Sequence, residues 1–151
     1  MQFVASKINI TVTQSILINK PVQEVFDFTQ DFSKRMLWDK SIIDCRLISE
    51  TPFRTAFIKV KGGMTANLEY KLFERPCKTS LRMTNISFSL IVDGGGSWLY
   101  QKQADGATLW TQTNTLSLKN NLITKILMPY IERSLKRNTF ESMKSLKKIM
   151  E

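Results

Sequence analysis

The chain has 151 residues, of which 42% are apolar, and its formal net charge at pH 7 is +9. This length and composition fit one ordinary domain with a substantial core, so we expect a single domain over residues 1–151. The sequence contains no histidine. This excludes Ser-His-Asp and Cys-His catalysis and leaves too few suitable ligands for a zinc, iron or copper site. We therefore expect no metal and no cofactor.

Positive charge is concentrated in two segments of the chain. Residues 31–82 carry eleven Lys/Arg against six Asp/Glu, and residues 120–151 carry seven against three. Such an excess attracts anionic partners, but neither segment interleaves aromatic and basic residues as single-stranded nucleic acid recognition requires. We expect this basic surface to make only weak, salt-sensitive contacts with anionic membranes or RNA.

The N-terminal segment alternates apolar and polar residues from Phe3 to Ile18. A signal peptide needs a continuous apolar core instead, and no later apolar run approaches membrane-spanning length. We therefore predict a cytoplasmic protein, in which Cys45 and Cys77 remain reduced and unpaired.

Apolar and polar residues alternate over residues 4–18, and this alternation predicts a first strand. Gln14 is the one polar residue on its core face, among Ile8, Ile10, Val12, Ile16 and Ile18. A helix is predicted from Pro21, which suits a first helical turn, to about Asp31. A short basic helical segment then continues to Trp38.

The region from Ile42 to Leu118 predicts six antiparallel strands, because turn signals recur along it. These signals are Thr51-Pro52, Gly62-Gly63, Arg75-Pro76, Gly94-Gly95-Gly96 and Asp105-Gly106. In this interpretation the three consecutive glycines form a mobile loop between two strands. The residues before them alternate along a strand, with Ile86, Phe88, Leu90 and Val92 on one face.

From Asn120 the apolar period changes to that of a helix. Its predicted core stripe consists of Ile123, Leu127, Ile131, Leu135, Met143, Leu146 and Met150. Pro129 lies within it and predicts a bend or a restart, because proline removes a backbone hydrogen bond. A stripe of this length predicts a helix that lies across the concave face of the sheet.

Three parts of the sequence resemble the START-like (SRPBCC) superfamily. They are the segment from Ile16 to Phe32 together with Trp38, the hairpin from Asp105 to Trp110, and the helix that ends in Leu146-Lys-Lys. This is the polyketide cyclase/dehydrase and lipid transport group with the Bet v 1 helix-grip fold. The resemblance implies an α+β domain in which a curved seven-stranded antiparallel sheet wraps around a long C-terminal helix, with two short helices between strands 1 and 2. Asp39-Lys40 stands where many relatives have a proline.

Members of this superfamily usually enclose an apolar ligand between the sheet and the last helix. Amides on apolar faces, and aromatic rings with a polar atom, suit the wall of such a cavity, although the amides are equally explained by internal hydrogen bonds. The candidate lining residues are Gln14, Tyr70, Phe88, Trp98, Tyr100, Trp110, Gln112, Asn114, Ile123, Leu127, Tyr130 and Ile131.

The function predicted on this basis is binding of a small hydrophobic molecule, such as a lipid, a polyketide-like compound or an aromatic compound. Two alternatives remain open. One is a metal-free cyclase or dehydrase of the polyketide cyclase/aromatase type, for which the sequence singles out no catalytic residue. The other is a basic relative that binds a ribosomal, RNA or co-chaperone partner.

Overall fold

A computed structural model describes residues 6–151 of the chain, so the first two residues of the predicted strand at 4–18 lie outside the described part. The elements follow in the order β1 (Lys7–Ile18), α1 (Val22–Gln30), α2 (Arg35–Trp38), β2 (Ile42–Ser49), β3 (Thr55–Val60), β4 (Thr65–Glu74), β5 (Lys78–Thr84), β6 (Ile91–Lys102), β7 (Thr108–Lys119) and α3 (Leu122–Met150).

All seven strands form one antiparallel sheet in the order β1-β7-β6-β5-β4-β3-β2. Long pairings of β7 with both β1 and β6 form its most extensive part. The long helix α3 packs against β1, β7 and α2. The predicted α+β helix-grip architecture, with two short helices between the first two strands, is therefore confirmed.

Alternation along β1 places Ile10, Val12 and Ile18 in the core, as predicted. The helix α1 buries the predicted face, which carries Val22, Val25, Phe26 and Thr29. Pro21 occupies the N-cap position, immediately before the first helical residue, and makes no side-chain capping hydrogen bond. None of the helices within residues 6–151 is long and apolar enough to cross a bilayer.

Trp38, at the end of α2, joins the helices to the sheet. Its ring is fully buried, with its centroid 5.5 Å from that of Trp110 and 6.0 Å from that of Trp98. Met143 and Leu146 of α3 belong to the same core cluster. The tryptophan predicted from the family resemblance therefore packs α2 and α3 against β6 and β7.

The prediction of a loop at Gly94-Gly95-Gly96 is wrong, because all three glycines lie within β6. The chain between β5 and β6 runs instead through residues 85–90, so Ile86 and Phe88 lie off the strands. A Cβ at Gly95 would approach the carbonyl oxygen of Leu81 to 2.6 Å. Glycine is therefore required here by the close approach of β5 and not by a turn.

The sequence predicts a bend or a restart at Pro129, and the structure excludes the restart because α3 continues unbroken through this residue. Its buried stripe also differs from the prediction in the first half, where Ile123 is 60% exposed. The residues that face the sheet and α2 are Thr124, Met128, Ile131, Leu135, Thr139, Ser142, Met143 and Leu146. These residues recur at helical spacing, but three of them, Thr124, Thr139 and Ser142, are polar. A stripe predicted from apolar residues alone therefore placed the wrong side of the first helical turns against the sheet.

Candidate ligand-binding cavity

A cavity of 560 Å³ lies between the sheet and α3. Its walls are mostly apolar and consist of Ile58, Val60, Leu68, Leu81, Met83, Ile91 and Leu116 from the sheet and Ile131 and Leu135 from α3. Gly95 and Gly96 also line it. Gly96 lies on the same face of β6 as Trp98, and because it carries no side chain it leaves the space in front of the strand open.

One end of the cavity opens to solvent. Lys61 lies there on the β3–β4 turn, Phe88 on the β5–β6 loop and Tyr130 on α3, and all three are exposed. Tyr130 has 69% of its surface accessible. These residues form the mouth through which a molecule would enter.

The other end of the cavity is buried and polar. Arg35 and Asp39 of the α2 region line it and form an ion pair in which Nε lies 2.8 Å from Oδ2, with side chains only 10% and 9% exposed. The Arg35 guanidinium lies over the rings of Trp38 and Trp98, at 4.9 and 4.7 Å from their centroids. Cation–π contacts of this kind stabilise a guanidinium that has lost most of its water.

The second oxygen of Asp39 is also fully engaged. Its Oδ1 accepts hydrogen bonds from the backbone N–H and the hydroxyl of Ser41, at 3.1 and 2.7 Å. The hydroxyl of Ser142 on α3 donates to it over 3.4 Å. These donors hold the carboxylate in a fixed position, and this in turn orients Arg35.

A chain of side-chain hydrogen bonds continues from Trp98 along the cavity wall. The indole Nε1 of Trp98 donates to Oδ1 of Asn114 at 3.3 Å, and Nδ2 of Asn114 donates to Oε1 of Gln112 at 3.0 Å. Asn114 also donates to Thr139 on α3. Two of the three predicted amides thus line the cavity and are partly satisfied within the protein.

The structure brings six of the twelve predicted lining residues to the cavity, namely Phe88, Trp98, Gln112, Asn114, Tyr130 and Ile131. The other six do not line it. Gln14 is half-buried on β1, opposite Gln112 in the β1–β7 register, and Trp110 lies in the aromatic core. Ile123 and Leu127 lie in the first turns of α3, away from the cavity wall.

Tyr70 and Tyr100 belong to a separate buried network centred on Gln30 of α1. Oε1 of Gln30 accepts from the Tyr70 hydroxyl at 3.0 Å, and its Nε2 donates to the Tyr100 hydroxyl at 2.9 Å. The Tyr100 hydroxyl also lies 2.6 Å from the hydroxyl of Thr29. Burial raises the pKa of both phenols, so they remain neutral and act as hydrogen-bonding core residues.

Sequence reasoning missed Arg35, Asp39 and Ser142, the charged and hydroxyl groups at the buried end. The sequence did contain one indication of this ion pair, because Arg35 and Asp39 are spaced i, i+4 on either side of a predicted core tryptophan.

Cys45 is buried and Cys77 exposed, and both are free thiols. Within residues 6–151 no group of three or more acidic or cysteine side chains is arranged to hold a metal ion.

The sheet, the long helix and the cavity between them define a helix-grip protein. Residues 9–151 match the family model described as polyketide cyclase / dehydrase and lipid transport. The chain therefore belongs to this family. A search of the curated proteins finds no match.

Solved structures with the same fold cover nearly the whole chain. The protein TTHA0849 from Thermus thermophilus is 14% identical, with a TM-score of 0.78 and coverage of 91% of this chain and 94% of that one. The Zhui aromatase/cyclase from a Streptomyces species is 11% identical, with a TM-score of 0.78 and coverage of 95% and 94%. A START superfamily protein from Mycobacterium smegmatis is 9% identical, with a TM-score of 0.77 and coverage of 93% and 97%. At these identities the likeness establishes the fold alone.

Proposed function

We propose that this protein binds a small, largely apolar molecule in the cavity between the sheet and α3. The observation that carries the proposal is the cavity itself, whose volume of 560 Å³ falls within the range of roughly 300–1,000 Å³ typical of small-molecule sites. Its apolar walls and a few polar groups at one end also match the usual composition of such sites. The lipid transport part of the family description agrees with this function.

The apolar walls supply enough free energy for useful affinity. Burying an acyl chain of about ten CH₂ groups gains roughly 8 kcal/mol before the costs of association are counted. Losses of translational freedom and of chain flexibility reduce this gain, and micromolar binding is the expected result.

Catalysis has less support than binding. Two of the three tyrosines, Tyr70 and Tyr100, are engaged in the Gln30 network outside the cavity, and the third, Tyr130, is exposed at the mouth. Asp39 does line the cavity, but its oxygens already accept hydrogen bonds from Arg35, Ser41 and Ser142.

The cytoplasmic location, the single domain and the weak contact with anionic membranes or RNA remain predictions.

A cavity-blocking substitution tests the proposal. Ser134 is half-buried on α3 and lines the cavity, so Ser134→Trp is expected to fill part of it and weaken binding of the neutral dye Nile red by at least about tenfold. Glu132→Trp is the matched control, because Glu132 is exposed on the same helix and does not line the cavity. Fluorescence titration measures both affinities, and circular dichroism checks that both variants fold.

If the dye binds the folded Ser134→Trp variant as tightly as the wild type, the cavity is not the binding site and the proposal is wrong. Native mass spectrometry of protein purified from its own host, followed by organic extraction, is an independent test that identifies the natural ligand. A single copurifying apolar species is the expected result.

A further inference from the structure

We infer that the ligand carries a carboxylate, and that Arg35 and Gln112 bind this group at the buried end of the cavity. This inference rests on the proposed function, because it assigns a chemical class to the molecule that occupies the same cavity. It goes further in predicting that an acidic amphiphile is preferred over neutral molecules with the same chain.

Arg35 has hydrogen-bonding capacity that the protein does not use. Its residue surface is 8% exposed, and its Nε donates to Asp39. Within residues 6–151, neither terminal nitrogen of the guanidinium, Nη1 or Nη2, donates to any group in the protein. Both nitrogens retain accessible surface at the cavity wall, where they can donate to water or to a ligand, and two parallel N–H groups of a guanidinium match the two oxygens of a carboxylate.

Gln112 supplies a second unused donor beside Arg35. The residue is 4% exposed, and its Oε1 accepts from Asn114, whereas its Nε2 has no acceptor among the described residues. Both side chains are neighbours of Trp98, which lies under the Arg35 guanidinium and opposite Gln112 in the β6–β7 register. Unused donors at the same end of one cavity point to an acceptor on the ligand.

The cavity lining carries no excess of negative charge that would repel an ionised acceptor. Arg35 and Asp39 balance each other at the buried end, and Lys61 at the mouth brings the net charge of the lining to +1. Asp39 is the one carboxylate among them, and its oxygens already accept four hydrogen bonds. A ligand carboxylate would therefore meet N–H donors at the buried end, where low local dielectric strengthens the contact.

The arrangement also sets the orientation of the ligand. The unused donors lie at the buried end, the apolar walls follow, and Phe88 and Tyr130 lie at the mouth. The carboxylate would enter first, and the hydrocarbon chain would extend towards the solvent along Leu81, Leu116 and Ile131.

A ligand series tests the inference without any change to the protein. Dodecanoic acid, dodecanol and methyl dodecanoate share a chain length, and at pH 7.5 the acid alone is ionised. We expect the acid to displace Nile red from the wild-type protein with at least about tenfold higher affinity than the alcohol or the ester, because hydrogen bonds to charged groups exceed neutral ones in strength. All titrations are made below the concentration at which each compound forms micelles.

Two variants then test whether Arg35 and Gln112 cause the preference for the acid. Arg35→Lys keeps the charge but removes the planar pair of donors, and Gln112→Met removes the amide at similar size. Both are expected to reduce the preference for the acid severalfold while leaving the affinity for dodecanol nearly unchanged. Arg137→Lys is the matched control for the arginine-to-lysine change, because Arg137 is exposed on α3 and does not line the cavity.

The outcomes separate this inference from the proposed function. If none of the three compounds binds and Nile red binding is not saturable, the proposed function itself is wrong. If the acid, the alcohol and the ester bind equally, the cavity binds apolar molecules but the carboxylate inference is overturned. Should Arg35→Lys fail to fold, the wild-type series and the Gln112→Met variant still decide the question.

Discussion

Replacing Trp38 with alanine is expected to lower the free energy of unfolding by about 3–5 kcal/mol, the range observed when a large buried aromatic side chain is removed. Trp38 is 0% exposed and contacts Trp98, Trp110 and the Arg35 guanidinium. Its removal leaves a void where α2 and the sheet meet. Because a domain of this size is stable by about 5–15 kcal/mol in total, a large fraction of the stability would be lost.

Urea denaturation followed by circular dichroism measures this loss. Leu37→Ala is the matched control, since Leu37 is the adjacent residue of α2 and is 59% exposed, and a change within about 0.5 kcal/mol is expected there. Trp38→Phe should cost less than Trp38→Ala, because it keeps a ring and removes an indole N–H that has no partner within residues 6–151. A loss below about 1 kcal/mol for Trp38→Ala would contradict the packing described here.

Replacing Asp39 with alanine is expected to lower the free energy of unfolding by about 3–5 kcal/mol, because it leaves the buried Arg35 charge uncompensated. The effect comes from breaking the pair and not from a large net contribution of the pair to stability. The donors of Ser41 and Ser142 also lose their acceptor. Urea denaturation again provides the measurement.

A double variant distinguishes these causes. Arg35→Met combined with Asp39→Leu removes both charges, and it is expected to be more stable than Asp39→Ala alone, since apolar replacements of a buried pair are often neutral. Asp27→Ala breaks the surface pair between Asp27 and Arg75, whose side chains are both 53% exposed, and should have a much smaller effect. Equal losses for Asp39→Ala and Asp27→Ala would show that the Arg35–Asp39 pair is not effectively buried.

Much of the fold could be predicted from the sequence, because in most elements the spacing of apolar residues along the chain agrees with the face that packs into the core. The alternation around Ile10 and Val12 in β1 and the buried face of α1 are each determined by a single period. The three glycines of β6 illustrate the opposite case. Consecutive glycines usually mark a turn, and only the position of β5, with the Leu81 carbonyl directly against Gly95, explains why they lie within a strand.

The cavity was only partly predictable, because its lining depends on which side chains converge in space. Trp98, Gln112 and Asn114 were predicted from polar or aromatic character on an apolar face, and the structure brings them to the cavity wall. Tyr70 and Tyr100 have the same character but contact α1 through Gln30. Strand alternation fixes the face of the sheet on which a residue lies, but not whether a helix covers it or a void remains in front of it.

The central claim, that an apolar molecule binds within the cavity, is tested most directly by NMR of methyl-labelled protein with dodecanoic acid. The account predicts intermolecular nuclear Overhauser effects from the ligand chain to the methyl groups of Leu68, Leu81 and Leu116, which line the cavity. Leu122, Ile123 and Ile126 provide the internal comparison, because their side chains are exposed on the first turns of α3. Contacts confined to these three exposed residues, with none to the cavity leucines, would show adsorption to the surface and contradict the account.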